Sequence, residues 1–435
     1  MTVTRSGTLH GERGVEAGKA QAHATVSTAS APIFTPAALD PRVPSFLAGY
    51  PPELFSEKLH FSIELMHRYT LELASGLLRS LGVIANLDSW CTPDDLCRIL
   101  SFDPKFCPLL RWLMEAAVEL GDLTREPHQY GMYKISGSTR PRSTALRERA
   151  LAVDPANAAT LDLLEHAAAT YPLLARGEKT AEQLLFEPQN IALWLAYFRN
   201  DNPTYAVNNW MGALAAAQRM ASRSRFSILE VGAGAGSGAE ILLEVLSARG
   251  LATRIERYVV TEPSTFFLRR AQRNLTRRYP HLPLEFGALD INKPWQAQSP
   301  SEAGFELVYG INVMHVAHDL AYSLGQARDS IAADGWLVMG ECLSRYKPIF
   351  PEFIFQMLES FGTVRTDARF RPAPGFLPPH YWRRSLAHAG FHVQQIEPDV
   401  ERISELCPNF LSGAVCGQKK GPGFEGSTNR TSWSD

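Results

Sequence analysis

The chain has 435 residues, enough for about two or three domains. Hydrophobic residues make up 45% and charged residues 20%, and 43 basic against 45 acidic residues leave a net charge of −2, which excludes a bulk electrostatic pull on nucleic acid or membrane. No apolar run approaches the roughly 18 residues that span a bilayer, the N-terminus lacks the apolar core of a secretory signal, and six cysteines without ligand-like spacing fit a reduced, cytoplasmic setting.

Residues 1–40 are rich in Thr, Ala, Ser and Gly with little apolar periodicity, and disorder is expected there. Residues 41–140 read as a helical module closed by a small hairpin. A helical apolar stripe runs over 59–81. Thr92 is a helix cap with Pro93 in the first turn, and 109–120 is a third amphipathic helix. A strand follows Gly121-Asp122-Leu123, 128–131 make a turn, and 132–135 read as the return strand. Residues 107–120 hold one Arg and two Glu, a poor phosphate-facing surface; their apolar breadth suits a protein partner instead.

Residues 141–222 are mostly helical and read as a linker and substrate cap. The apolar run 191–198 is broken by Asn202-Pro203, and Tyr205, Asn208, Asn209 and Trp210 follow. Tyr205 and Asn208 are candidate substrate contacts; Trp194 and Phe198 read as ordinary core.

At 226–238 an apolar strand meets Glu230 and then a loop with glycine at 232, 234, 236 and 238, followed at once by a helix. Glycines let the backbone approach a ligand closely, and the helix start behind them offers free N–H groups and a positive dipole end. Two cofactor classes use such a cradle. Gly234, Gly236 and Ala239 satisfy the dinucleotide fingerprint loosely, while Glu230, Gly232, Gly234 and Gly236 form an acid-x-Gly-x-Gly-x-Gly series without a gap. Further strands are expected over 257–260, ending at Glu262, an acid suited to ribose hydroxyls; over 284–289, ending at Asp290-Ile291; over 305–309; and over 336–340 after an Asp334-Gly335 turn. Helices are expected over 264–278 and 320–332. Alternating strands and helices imply a mostly parallel, doubly wound sheet. Two last strands, 391–396 and 411–416, lack a full helix between them.

The unbroken acid-and-glycine series resembles motif I of class I S-adenosylmethionine-dependent methyltransferases. Asn312-Val-Met-His315, Asp319-Leu320 and Gly335-Trp-Leu-Val-Met-Gly-Glu341 resemble the C-methyltransferase domains of polyketide synthases. The N-terminal module resembles the winged-helix dimerisation domain of small-molecule methyltransferases. The resemblance covers residues 226–418 and implies an α/β fold: a doubly wound, Rossmann-like methyltransferase sheet of seven strands with the last antiparallel, preceded by a mostly helical winged-helix-like domain. It divides the chain into a disordered segment (1–40), a dimerisation domain (41–140), a helical linker and cap (141–222), a cofactor-binding domain (223–420) and a flexible tail (421–435).

That resemblance also implies S-adenosyl-L-methionine as cofactor and S-adenosyl-L-homocysteine as product. Glu230, Gly232, Gly234 and Gly236 would cradle the cofactor, Glu262 would take its ribose, Asp290 and Ile291 its adenine, and Asn312 its amino-acid part or the substrate oxygen. His315 and Glu341 match a histidine after the fourth strand and a glutamate closing the fifth. Histidine titrates near working pH and suits a general base; a carboxylate on its other nitrogen fixes the tautomer. The implied reaction is methylation of an acidic carbon next to a carbonyl. An O-methyltransferase or a non-methylating cyclase on the same fold are the alternatives. Phe353, in the aromatic insertion 350–361, is a third substrate candidate. The expected partners are a small-molecule or thioester-bound acyl substrate, a carrier protein and a second copy of the chain, with no nucleic acid and no membrane. His318-Asp319 is a rival constellation for a metal; without supporting His or Cys spacing no metal is expected, and Asp319 reads as a helix N-terminus.

Overall fold

The computed structural model describes residues 34–128, 131–136, 145–298, 304–345 and 347–421. Residues 1–33 of the expected disordered segment, 422–435 of the expected tail and 129–130 of the expected turn lie outside them. Residues 34–40 run without regular structure, and the His60 ring bonds the Ala37 carbonyl at 3.0 Å.

The helix Glu57–Ser80 is capped by the Ser56 hydroxyl, which accepts from the Leu59 N–H. Its apolar stripe, with Leu65, Met66, Tyr69, Leu73 and Leu77, is buried against the helix Cys107–Leu120. Leu110, Leu113, Met114 and Ala117 of that second helix are buried too, so the apolar breadth that the sequence offers to a partner is used inside the chain. Thr92 caps Pro93–Ile99 through the Asp95 N–H. Gly121 ends Cys107–Leu120 at φ 90°, and β1 (Leu123–Arg125) then pairs antiparallel with β2 (Tyr133–Ile135).

Seven further strands among the described residues form one sheet. They are β3 (Phe226–Glu230), β4 (Ile255–Thr261), β5 (Leu284–Gly287), β6 (Phe305–Ile311), β7 (Ile331–Cys342), β8 (Val393–Glu397) and β9 (Ser412–Gln418). The order is β5-β4-β3-β6-β7-β9-β8, and β9 runs antiparallel to both of its neighbours. Side chains alternate across the sheet as strand geometry requires. Ile228, Leu307, Tyr309 and Val338 enter one core; Leu229, Val308, Leu337 and Met339 enter the other. Ser237–Ala248 and Thr265–Arg278 contribute to the first core, Leu320–Ser330 and Pro379–His388 to the second.

Several elements differ from the sequence reading: a short helix, Val400–Leu406, capped by Asp399, lies between β8 and β9, where no full helix is expected. The helix Pro203–Met220 packs on β6, β7 and β9 rather than serving only as a linker. Its small residues allow the approach: a Cβ at Gly212 would lie 2.7 Å from Ile311 and 3.1 Å from the Gly340 backbone. The Asp334-Gly335 turn is absorbed into β7 as an irregularity, where the pairing jumps from Phe305–Ile331 to Leu307–Trp336 and Asp334 sits at φ 58°. No described helix is long and apolar enough to cross a membrane.

Candidate functional site

The winding reverses at β3, which lies between β4 and β6. Open α/β sheets bind ligands beyond the carboxyl ends of the strands at such a point. The glycine loop starts there. Gly232, Gly234 and Gly236 adopt φ of 63°, 54° and 92°, a region costly for other residues. A Cβ at Gly232 would lie 2.5 Å from Val313, and one at Gly236 would lie 3.2 Å from Ala271; one at Gly234 would meet nothing within 4 Å. The shoulders of the loop are therefore packed and its middle faces open space.

Glu262, just beyond β4, accepts from the N–H groups of Gly234 and Ser264, both at 3.0 Å. Burial raises its carboxyl above the ordinary value, opposed by those two bonds. Glu230 is 1% exposed under the loop and accepts the Tyr258 hydroxyl at 2.8 Å. Burial pushes it up to about 7. Its carboxylate is turned into the interior, toward the Tyr258 hydroxyl. β5 ends at Gly287, short of the expected residue 289. Asp290 lies past it with Lys293 Nζ at 3.1 Å. Burial opposes ionisation there, but the Asn292 N–H and the Lys293 ammonium hold the carboxyl below its ordinary value. Ile291 is buried, and its carbonyl accepts from the Ser323 hydroxyl and the Trp295 indole.

Beyond β6, Asn312 turns at φ 51°; its N–H donates to the Gly340 carbonyl and its Oδ1 accepts the Cys342 N–H, both at 2.8 Å. The ends of β6 and β7 are thereby tied together. One 3-10 turn, Met314–Val316, then presents His315. His315 Nδ1 lies 2.7 Å from Oε2 of the fully buried Glu341, whose Oε1 accepts the Met314 N–H at 3.1 Å. Phe376 and Phe361 pack on the imidazole at 4.6 and 5.8 Å between centroids.

Behind this pair sits Arg371, fully buried, donating to the His315 carbonyl at 2.6 Å. Its Nε and Nη1 have no hydrogen-bond partner among the described residues. Burial lowers its pKa to about 10, and the Glu341 charge opposes the shift. A buried arginine has no local signature in the Pro-rich stretch around Arg371-Pro372.

A cavity of about 260 Å³ opens beside the imidazole. His315, Asn312, Tyr205 and Asn208 line it together, so four of the candidates converge. Asn208 Oδ1 is buried without a partner. The Tyr205 phenol is pushed up to about 12 by burial and hydrogen-bonds Ser237, the first residue of the helix behind the glycine loop. The glycines, Glu262, Asp290 and Ile291 lie outside the cavity lining, and Glu341 is reached only through His315. Phe353 is corrected: it is stacked on Tyr171 at 4.9 Å in the helical core, while Phe350, Pro351 and Phe355 of the same segment face the cavity. Trp194 and Phe198 belong to the core and also line the cavity. So does His67, whose Nε2 lies 3.0 Å from Glu119; nothing in the spacing of those two residues announces the pair.

The rival constellation is separated by its partners. His318 Nδ1 bonds the Thr363 carbonyl at 2.9 Å, while Asp319 caps Leu320–Ser330 and pairs with Arg365. Among the described residues no group of three or more His, Cys, Asp or Glu is placed to hold a metal ion.

No family model matches the chain. Among curated proteins it is similar to a highly reducing polyketide synthase from Pyrenophora dematioidea, 30% identical over 227 residues, or 50% of this chain and 9% of that one. The chain thus spans about a tenth of the length of that relative. Among solved structures it is similar to the CurJ carbon methyltransferase, with a TM-score of 0.69 and 22% identity over 88% of this chain and 100% of that one. It is also similar to the trans-methyltransferase CalH in complex with SAH, with a TM-score of 0.53 and 18% identity over 82% of this chain and 90% of that one. The Rossmann-like sheet with its helical N-terminal region is the fold of these methyltransferases.

Proposed function

We propose that the chain is an S-adenosylmethionine-dependent methyltransferase of polyketide-type biosynthesis that methylates an acidic carbon α to a carbonyl. The observation that carries this reading is the 2.7 Å contact between His315 and the buried Glu341 at the wall of an apolar cavity.

The residues present fit the cofactor. The open space over Gly234 and the anchored Glu262 carboxylate suit a ribose-bearing group, with Asp290 and Ile291 toward the adenine. When bound, the cofactor supplies an electrophilic methyl group on a sulfonium.

The protein's share is position and proton transfer. Glu341 accepts the Nδ1–H of His315, which leaves Nε2 as the basic nitrogen; the tautomer follows from that bond. Nε2 takes the proton from the substrate carbon, and Glu341 stabilises the imidazolium that results. The carbon then holds the electron pair that receives the methyl group. Asn312 Oδ1 is occupied by the Cys342 N–H, so its amide N–H groups are the part free to hold the enolate oxygen. Phe361 and Phe376 keep water from the imidazole. The helices before β3 cover the substrate, through Ile63, Trp194 and Phe198. A carbonyl-bearing acyl thioester, presented free or on a carrier protein, suits those apolar walls.

His315→Ala should leave S-adenosylhomocysteine affinity near wild type by calorimetry and lower turnover by about 10² to 10⁴. Glu341→Gln should lower turnover in the same direction. Undiminished turnover in His315→Ala refutes the base assignment.

A further inference from the structure

The helix Thr265–Arg278 carries five arginines and no acid. At about 100° per residue, Phe266, Arg269, Arg270, Arg273 and Arg277 fall within one arc of the helix, opposite the buried Ala271 and Leu275. Arg269, Arg273 and Arg277 are exposed, and no ion pair reaches them among the described residues; only Arg278 is paired, with Glu244 at 3.1 Å. Phe266, at the first turn, is 51% exposed, and its neighbour Phe267 lines the cavity. The stripe therefore leads along the molecular surface to the cavity wall, ending in an exposed aromatic ring.

We infer that this stripe is the docking surface for the acidic face of a second protein that delivers the substrate on a tether. The inference rests on the proposed methylation of an acyl thioester and names where the carrier sits. Arginine and aromatic residues are the side chains that protein interfaces favour. Unpaired cations on an exposed helix steer an acidic partner and fix its register at little desolvation cost. A stripe one helix wide, about 12 Å from Arg269 to Arg277, matches one helix of a partner. Docking there brings the tethered group to Phe266 and Phe267.

The test is fluorescence anisotropy with the full chain and a labelled acidic acyl carrier protein bearing a 3-oxobutanoyl thioester. Binding should weaken at least about tenfold in the Arg269→Glu, Arg273→Glu, Arg277→Glu triple variant and should weaken with added salt. The triple Arg→Lys variant should retain binding, and circular dichroism should match wild type in both. Methylation of 3-oxobutanoyl-N-acetylcysteamine, which needs no docking, should stay within about twofold of wild type in the Glu variant. Equal carrier binding by wild type and the Glu variant overturns the inference. So does binding of a DNA duplex, lost in that variant, with no carrier binding. If neither thioester is methylated by wild type, the proposed reaction fails, while anisotropy still decides the surface.

Discussion

Arg371 carries a full charge where water does not reach it. Two of its three nitrogens lack partners, so its burial opposes folding more than its bond to the His315 carbonyl favours it. Such an arrangement persists where position matters more than stability. Arg371→Met should therefore leave the melting temperature unchanged or raised, and lower turnover at least about tenfold as His315 loses its anchor. A clear fall in melting temperature with normal turnover would reverse that assignment. The glycine loop gives a second contrast. Gly232→Ala forces a methyl group onto Val313 at a positive φ and should destabilise by about 3 kcal/mol. Gly234→Ala meets no neighbour, so it should cost only about 1 kcal/mol yet lower S-adenosylhomocysteine affinity at least about tenfold. Chemical denaturation and calorimetry separate the two effects.

At the scale of elements, the insertion Phe350–Phe355 is locked to the N-terminal module by the Trp112 indole, which donates to Glu352 at 2.8 Å. Burial pushes Glu352 up to about 7, from 4.5. A folded value above the unfolded one gives a contribution complete below about pH 4.5 and lost as pH rises through 7. Glu230 acts with the same sign. Stability should thus decline between about pH 5 and 8, and Glu352→Gln should remove part of the decline, roughly 3 kcal/mol at most. A pH profile of the melting temperature that Glu352→Gln leaves unaltered would contradict this. The sheet itself was legible because β3, β4 and β6 hold short apolar runs closed by acids, Gly or Asn, and strand order follows from fold class. His315, four residues past β6, and Glu341, near the end of β7, come together because β6 and β7 are neighbouring parallel strands, so the residues that follow or close them share one sheet edge. Phe353 was not legible: the aromatic residues of this six-residue helix are spread around its axis at about 100° per residue, and only packing decides which of them reach the cavity. The His67–Glu119 pair depends on two helices meeting, which no local pattern encodes.

For the molecule as a whole, the cavity lining among the described residues draws on distant parts of the chain, from Ile63 on the first long helix to Ser412 on the last strand. On the reading proposed above each copy of the chain works alone, whether or not the N-terminal module pairs with a second copy. Turnover per chain should stay constant on dilution through any dimer dissociation detected by sedimentation; a fall on dilution would mean that the partner copy contributes. The central claim is that an imidazole backed by a carboxylate makes a carbon nucleophile. It is tested most directly by carbon-13 NMR of the product formed from methyl-labelled S-adenosylmethionine and a 3-oxoacyl thioester. The account predicts a new methyl resonance coupled to the carbon between the two carbonyls, absent with His315→Ala. A label on oxygen, or a label on that carbon at an undiminished rate in His315→Ala, would contradict it.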